Sequence, residues 1–233
     1  MHIGVMVPAG SVGLQVIRGL RQPQTAVPAH PLTFREMLWH GRPHADLAPE
    51  VYAWRKANRL NLWRGLRQVM AARVLKVPHF YGQLSLVVIR ADGTWLDYGL
   101  ASLRVVTTAG VNYIVDAFQN TVELENLKYH ALGTGTTAEA AGDTALVTEL
   151  TTEYNPNNTR ATGSTIEGAS ANIYRTVGVN TLDGAAAITE HGVMSQAAVG
   201  GGTLLDRSVF SVINLANGDS LSSTYDLSFS SGG

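Results

Sequence analysis

The sequence predicts a mainly β protein: an antiparallel β-sandwich or jelly-roll-like domain with a short helix, preceded by an extended Pro-rich arm and one basic amphipathic helix. Three observations carry this. Short apolar runs alternate with turn dipeptides through residues 83–233, a single helical period occupies the stretch before them, and the first 45 residues hold five of the eight prolines. A content of 45% hydrophobic residues is enough to bury a core, and 233 residues make one large domain or one domain with an appendage.

The arm comes first. Pro8, Pro23, Pro28, Pro31 and Pro43 each fix φ and remove a backbone donor, so residues 1–45 are expected to become ordered only by lying on another surface. Pro49 then suits a first helical turn. Val51, Trp54, Leu62, Leu66 and Val69 follow on one face, with Lys56, Arg64, Arg67 and Arg73 on the other, which predicts a helix from Pro49 to Leu75 stopped by Pro78. Gly65 costs that helix about 1 kcal/mol relative to alanine. From Gln83 the period changes to two. Leu84–Arg90 reads as a strand, Asp92-Gly93 as a hairpin turn, Trp95–Tyr98 as a second strand and Leu103–Thr107 as a third. Val111, Ile114, Val115 and Phe118 form one stripe of a short helix expected to plug the sheet. Later strands are expected over Ala171–Val179, Ala186–Met194, Thr203–Leu215 and Ser220–Ser230, separated by Asp183-Gly184, Gly200-Gly201-Gly202 and Asn217-Gly218-Asp219. The domain boundary is expected between residues 82 and 83.

The net charge of -1 conceals two unlike halves. Residues 1–95 hold twelve Lys and Arg against four Asp and Glu, a net +8, and the remainder holds five against fourteen, a net -9. Such asymmetry predicts two different surfaces. Absence of cysteine excludes disulfides, thiol catalysis and cysteine-ligated metal. No apolar run reaches the roughly 18 residues that span a bilayer. The first residues lack a basic leader, and Pro8, Gly10 and Gly13 break their apolar run, so synthesis without a secretion signal is expected.

Few constellations point to chemistry. Gly133, Gly135 and Ala138 match G-x-G-x-x-G/A, and Glu153 lies about 20 residues on, as in a dinucleotide fingerprint. The stretch after it is interrupted by Gly142-Asp143 and continues into turns and strands, however, where a pyrophosphate site needs a helix N-terminus. The small residues read better as close-packed turns. No G-x-S-x-G elbow and no phosphate-binding G-x-x-x-x-G-K-[ST] loop is present. His40 and His44 are four apart, but Gly41 and Pro43 between them oppose the helix that a metal pair would need. His130, Glu190 and His191, with Asp206, supply acid-base or ligand types, although neighbours on a strand point to opposite faces. No catalytic, metal or cofactor-binding residue is assigned. The basic helix admits a membrane surface, nucleic acid or an acidic protein surface as its partner, and the last, including a neighbouring copy, fits best.

The blocks DYGLASLRVVTTAGVNYIVDAFQN, KYHALGTGTTAEAAGDTALVTEL, EGASANIYRTVGV, AITEHGVMSQA and LLDRSVFSVINLANGDSLSSTYDLSFSSGG resemble virion structural proteins of tailed bacteriophages, among capsid decoration (cement) or fibre-like components. The resemblance covers residues 83–233 and leaves the arm and basic helix outside it. It implies a β-sandwich that assembles with itself or with a shell, without catalysis or cofactor. The protein is then expected on the capsid surface of the virion, made in the host cytoplasm. Its expected partners are the major capsid protein and copies of itself as a dimer or trimer, with no membrane and no nucleic acid. The alternatives are a tail, baseplate or receptor-binding fibre component, or, in another class, a metal-dependent or hydrolytic enzyme. Candidate interface residues are Trp39, Trp54, Arg59, Trp63, Arg64, Leu66, Arg67 and Phe80, because interfaces concentrate their energy in aromatic and Arg anchors.

Overall fold

The computed structural model of the chain describes residues 42–75, 79–104 and 106–230. In chain order its elements are α1 (Pro49–Val74), β1 (His79–Ile89), β2 (Trp95–Arg104), α2 (Thr108–Phe118), a 3-10 turn (Leu124–Asn126) and β3 (Tyr129–Gly133). Three two-residue strands follow, β4 (Tyr154–Asn155), β5 (Ala161–Thr162) and β6 (Ile166–Glu167). The long strands β7 (Ile173–Leu182), β8 (Ala186–Met194), β9 (Leu204–Leu215) and β10 (Ser220–Ser230) complete the chain. Residues 1–41 of the expected Pro-rich arm lie outside the described residues, and Trp39 with them.

Two antiparallel sheets face each other, as the period-2 pattern predicts. One runs β2-β1-β10-β7-β4, with β6 also paired to β7, and the other runs β5-β3-β8-β9. Leu84, Leu86, Val88 and Leu221 of the first sheet meet Leu132, Ile188, Phe210 and Ile213 of the second in the main core. The predicted alternation of β10 holds on its inner face, where Leu221, Ser223, Tyr225 and Leu227 are buried. The hairpin at Asp92-Gly93 forms as expected. Gly93 takes φ 85°, a left-handed conformation that costs glycine nothing, and the Arg90 amide donates to the Thr94 carbonyl across the turn.

The two strands expected over residues 95–107 are one strand, β2, with two irregularities. Opposite β1, the pairing passes from Ser102 to Leu100 and from Gly99 to Asp97, so Ala101 and Tyr98 are the extra residues. Gly99 adopts φ 69° at this kink. The bulges matter because β2 is a sheet edge and α1 lies over it. Arg55 Nε of α1 donates to the Tyr98 carbonyl (3.1 Å) and Asn58 Nδ2 to the Ala101 carbonyl (2.8 Å). Asn58 Oδ1 in turn accepts from the Ser211 amide of β9 (3.0 Å), and Trp54 Nε1 donates to the Ser211 carbonyl (2.6 Å). Polar side chains of one helix therefore occupy hydrogen-bonding positions that a further strand would fill at both sheet edges, which blunts those edges against foreign strands. At Gly65 the helix approaches so closely that a Cβ would collide with the Leu103 carbonyl oxygen. Glycine there trades helix propensity for helix–sheet contact.

The helix is thus part of the sandwich. The expected boundary between residues 82 and 83 falls inside β1, and α1 contributes Val51 and Trp54 to the main core and Leu66 and Val69 to a second cluster with Tyr81, Leu100 and Leu103. α2 is capped by Thr107, whose Oγ1 accepts from the Gly110 amide (3.0 Å) and donates to the Leu204 carbonyl (2.6 Å). Only part of its expected stripe plugs the sheet. Ile114 is buried and Val111 half-buried, whereas Val115 and Phe118 face solvent, Phe118 at 83% exposure.

Candidate functional site

The Gly-rich stretch at residues 128–150 is built around an anion, and the anion belongs to the chain. β3 ends at Gly133, and the loop that follows wraps the carboxylate of Glu190 on the neighbouring strand β8. Glu190 Oε1 accepts from the amides of Gly135 (3.0 Å) and Thr148 (2.8 Å), and Oε2 accepts from the Val147 amide (3.2 Å) and Arg207 Nε (2.7 Å). A Cβ at Gly133 or Gly135 would collide with the Glu190 side chain, so the two glycines are where the backbone must approach it. Arg207 continues outward to Asp143 Oδ2 (3.0 Å) and the Thr137 carbonyl (3.0 Å). Arg160 ties the same loop down through Glu149, Nη2 to Oε2 at 2.8 Å. The glycines serve the close backbone approach that the close-packed-turn reading expects, and the loop amides they free are used by a carboxylate of the chain. That carboxylate lies 55 residues away from Gly135, which no local spacing announces.

His191, next to Glu190, points into the space between the sheets. Its Nε2 lies 2.9 Å from His130 Nδ1, and His130 Nε2 lies 3.0 Å from Thr176 Oγ1. Both imidazoles are fully buried, and a Cβ at Gly163 or Gly178 would strike His130. Burial pushes His130 down to about 3 and His191 well below the ordinary histidine range, so both rings are neutral at pH 7. Asp206 on β9 accepts from Ser208 Oγ (3.0 Å) and sits beside Tyr225. Burial raises its carboxyl to about 6 against the opposing pull of Ser208, Arg104 and Tyr225. Of the four groups that the sequence offered as a cluster, the fold brings His130 and His191 together, turns Glu190 to the opposite face, and sets Asp206 with Ser208 and Tyr225. Among the described residues, no three His, Asp or Glu side chains are arranged to hold a metal ion. The side chains of His130, His191 and Asp206 are sealed from solvent.

The candidate interface residues divide by face. Trp54 and Leu66 are buried against their own chain: Trp54 stands edge-on to Tyr98 with ring centroids 5.0 Å apart. Their anchoring role is therefore internal. Phe80 is half-buried and packs edge-to-face on Phe229 at 4.8 Å. Arg59, Trp63, Arg64 and Arg67 are exposed. Trp63 belongs to a seam the sequence analysis did not single out, Leu60, Trp63, Arg67, Met70 and Val74, spaced alternately three and four residues apart. All five are exposed, Leu60 at 71% and Val74 at 77%. This is the spacing with which one helix presents itself to another surface. Its flanks are basic, since no Asp or Glu occurs between Glu50 and Asp92.

A second apolar surface has the opposite charge. Leu124, Ile166, Ile173, Leu227 and Phe229 line an open groove of about 590 Å³ together with Glu125 and Glu167. Phe118 and Val115 stand on the adjoining helix with Asp116, and no Lys or Arg occurs between Arg104 and Lys128. Comparison with known protein families, with curated proteins and with solved structures finds no match to this chain. The fold and these sites define a class: a mainly β antiparallel sandwich whose converging polar groups are internal and whose exposed helix carries an apolar and basic seam.

Proposed function

We propose that this chain is a structural subunit of a virus particle, a capsid cement protein that holds its neighbours through the outer face of α1. The observation that supports this reading is the exposed seam from Leu60 to Val74, about 21 Å long at 1.5 Å per residue. A helix pinned rigidly to its domain by Trp54, Arg55 and Asn58 presents Trp63 and Met70 without an ordering cost, so binding energy is kept for the contact. Many identical weak contacts on a shell then add by multivalency. The resemblance of residues 83–233 to phage virion proteins points the same way.

The experiment is reconstitution of shells lacking this chain with the full protein, with a form lacking residues 1–41, and with Trp63→Glu. A deletion to residue 80 would remove Val51, Trp54 and the start of β1, and would report folding instead of attachment. Wild type is expected to fill the shell and raise its resistance to heat, and Trp63→Glu to lose occupancy at least tenfold. Equal occupancy by Trp63→Glu, or labelling confined to the tail, would remove the cement reading.

A further inference from the structure

We infer that this chain binds a second copy of itself head to tail, with the basic seam of α1 in one copy seated on the acidic apolar groove beside α2 in the next. The inference rests on the reading of α1 as an assembly surface and names what it docks on. Both surfaces combine exposed apolar side chains with charge, and the charges are opposite. Around the seam stand Arg59, Arg64 and Arg67; Glu125 and Glu167 line the groove, and the exposed Glu123 precedes its lining residue Leu124. Among the described residues, the other Arg and acidic side chains largely neutralise one another, as in Arg207 with Glu190, Arg160 with Glu149 and Arg175 with Asp226. Among the described residues, no such pair is formed by the seam arginines or by these three carboxylates. Opposite charge on otherwise apolar faces orients an encounter and disfavours wrong pairings.

The two surfaces cannot meet within one chain. The seam lies on the side of α1 turned away from the sandwich, since Val51, Trp54, Asn58 and Val69 bury the other side. The groove borders β6 and β7, which β1 and β10 separate from β2 under α1. Pairing of one seam with another seam is opposed by the arginines on both, so an isologous dimer through α1 is disfavoured. A contact between two different surfaces leaves one of each free on every dimer, and growth continues until a ring closes or a filament forms. Phe118 is exposed in the isolated chain because its cover comes from the next copy.

Sedimentation of the full chain over a concentration series tests this with two charge-reversed proteins, Arg64→Glu with Arg67→Glu, and Glu123→Lys with Glu125→Lys. All four positions are exposed, so folding is retained, and circular dichroism checks it. Wild type is expected to self-associate, each variant alone to weaken association at least tenfold, and an equimolar mixture of the two variants to recover it, because each then supplies the complement of the other. A wild type that stays monomeric, a mixture that stays dissociated, or a variant that associates as wild type would overturn the inference. Wild type that binds anionic phosphatidylserine vesicles in place of itself would also overturn it. Occupancy on shells separates the two levels: a monomeric wild type that still fills shells removes only the self-contact, whereas one that does neither removes the assembly reading as well.

Discussion

Glu190 and His191 are neighbours on β8, equally sealed from solvent, and face opposite sides of their sheet. The Glu190 carboxylate is surrounded by three backbone amides and one guanidinium. His191 has one neutral neighbour, His130, and gives up its charge to remain buried. A buried ionisable group survives either by being fully paired or by titrating to neutrality, and the local backbone decides which. On the Glu190 side a glycine loop aims N–H groups inward. On the His191 side the facing surface is another sheet, whose amides are committed to strand pairing.

The largest expected effect comes from breaking the paired side. Glu190→Ala leaves Arg207 and three amides without their partner, and a loss of about 3–5 kcal/mol is expected in urea unfolding. A loss below 1 kcal/mol would mean that the loop closes without the carboxylate. The neutral side is exposed by pH. Both histidines have folded pKa values below their unfolded ones, so the folded state binds fewer protons, and stability present above about pH 6.5 is lost as pH falls from there towards 3. Asp206 works the other way: raised to about 6, it contributes stability below its unfolded value of 3.8 that is lost as pH rises through 6. Two histidines oppose one carboxyl, so the urea midpoint is expected to fall as pH drops from 6.5 to 4.5. His191→Gln should make that decline markedly shallower, and a wild-type urea midpoint that is flat from pH 7 to 5 would contradict neutral burial.

Smaller effects separate the two faces of α1. Asn58→Leu removes the partner of the Ser211 amide and the Ala101 carbonyl, and about 2 kcal/mol should be lost. Trp63→Ala, on the outer face, is expected to change stability by less than about 0.5 kcal/mol while weakening attachment and self-association. Should Trp63→Ala unfold the protein as readily as Asn58→Leu, the outer seam would be a packing surface and its docking role would fall.

Much of the fold was legible in local pattern. β8 and β10 have the predicted limits, α1 ends one residue before the expected Leu75, and Asp92-Gly93 makes its turn, because two-residue alternation and glycine φ are properties of a few neighbouring residues. The merging of two expected strands into β2 was not legible. It depends on bulges at Tyr98 and Ala101, whose carbonyls are satisfied by a helix more than 40 residues earlier. The site was readable only in fragments. Gly133 and Gly135 signal a close-packed turn but not Glu190, and the charge split signals two unlike surfaces but not the exposure of Phe118 and Trp63.

Composition and short-range period account for the class of fold, the limits of β8 and β10, the absence of thiol chemistry and the opposite charge of the two halves. Tertiary structure alone decided which polar groups are internal. Arg55, Asn58, Glu190 and both central histidines would be read as surface or site residues from their chemistry, and they are buried because distant backbone groups need them as partners. The apolar residues left outside, at Trp63, Val74 and Phe118, are the counterpart of that choice. Each helix covers the sandwich with only one face, and apolar residues of its other face stay exposed.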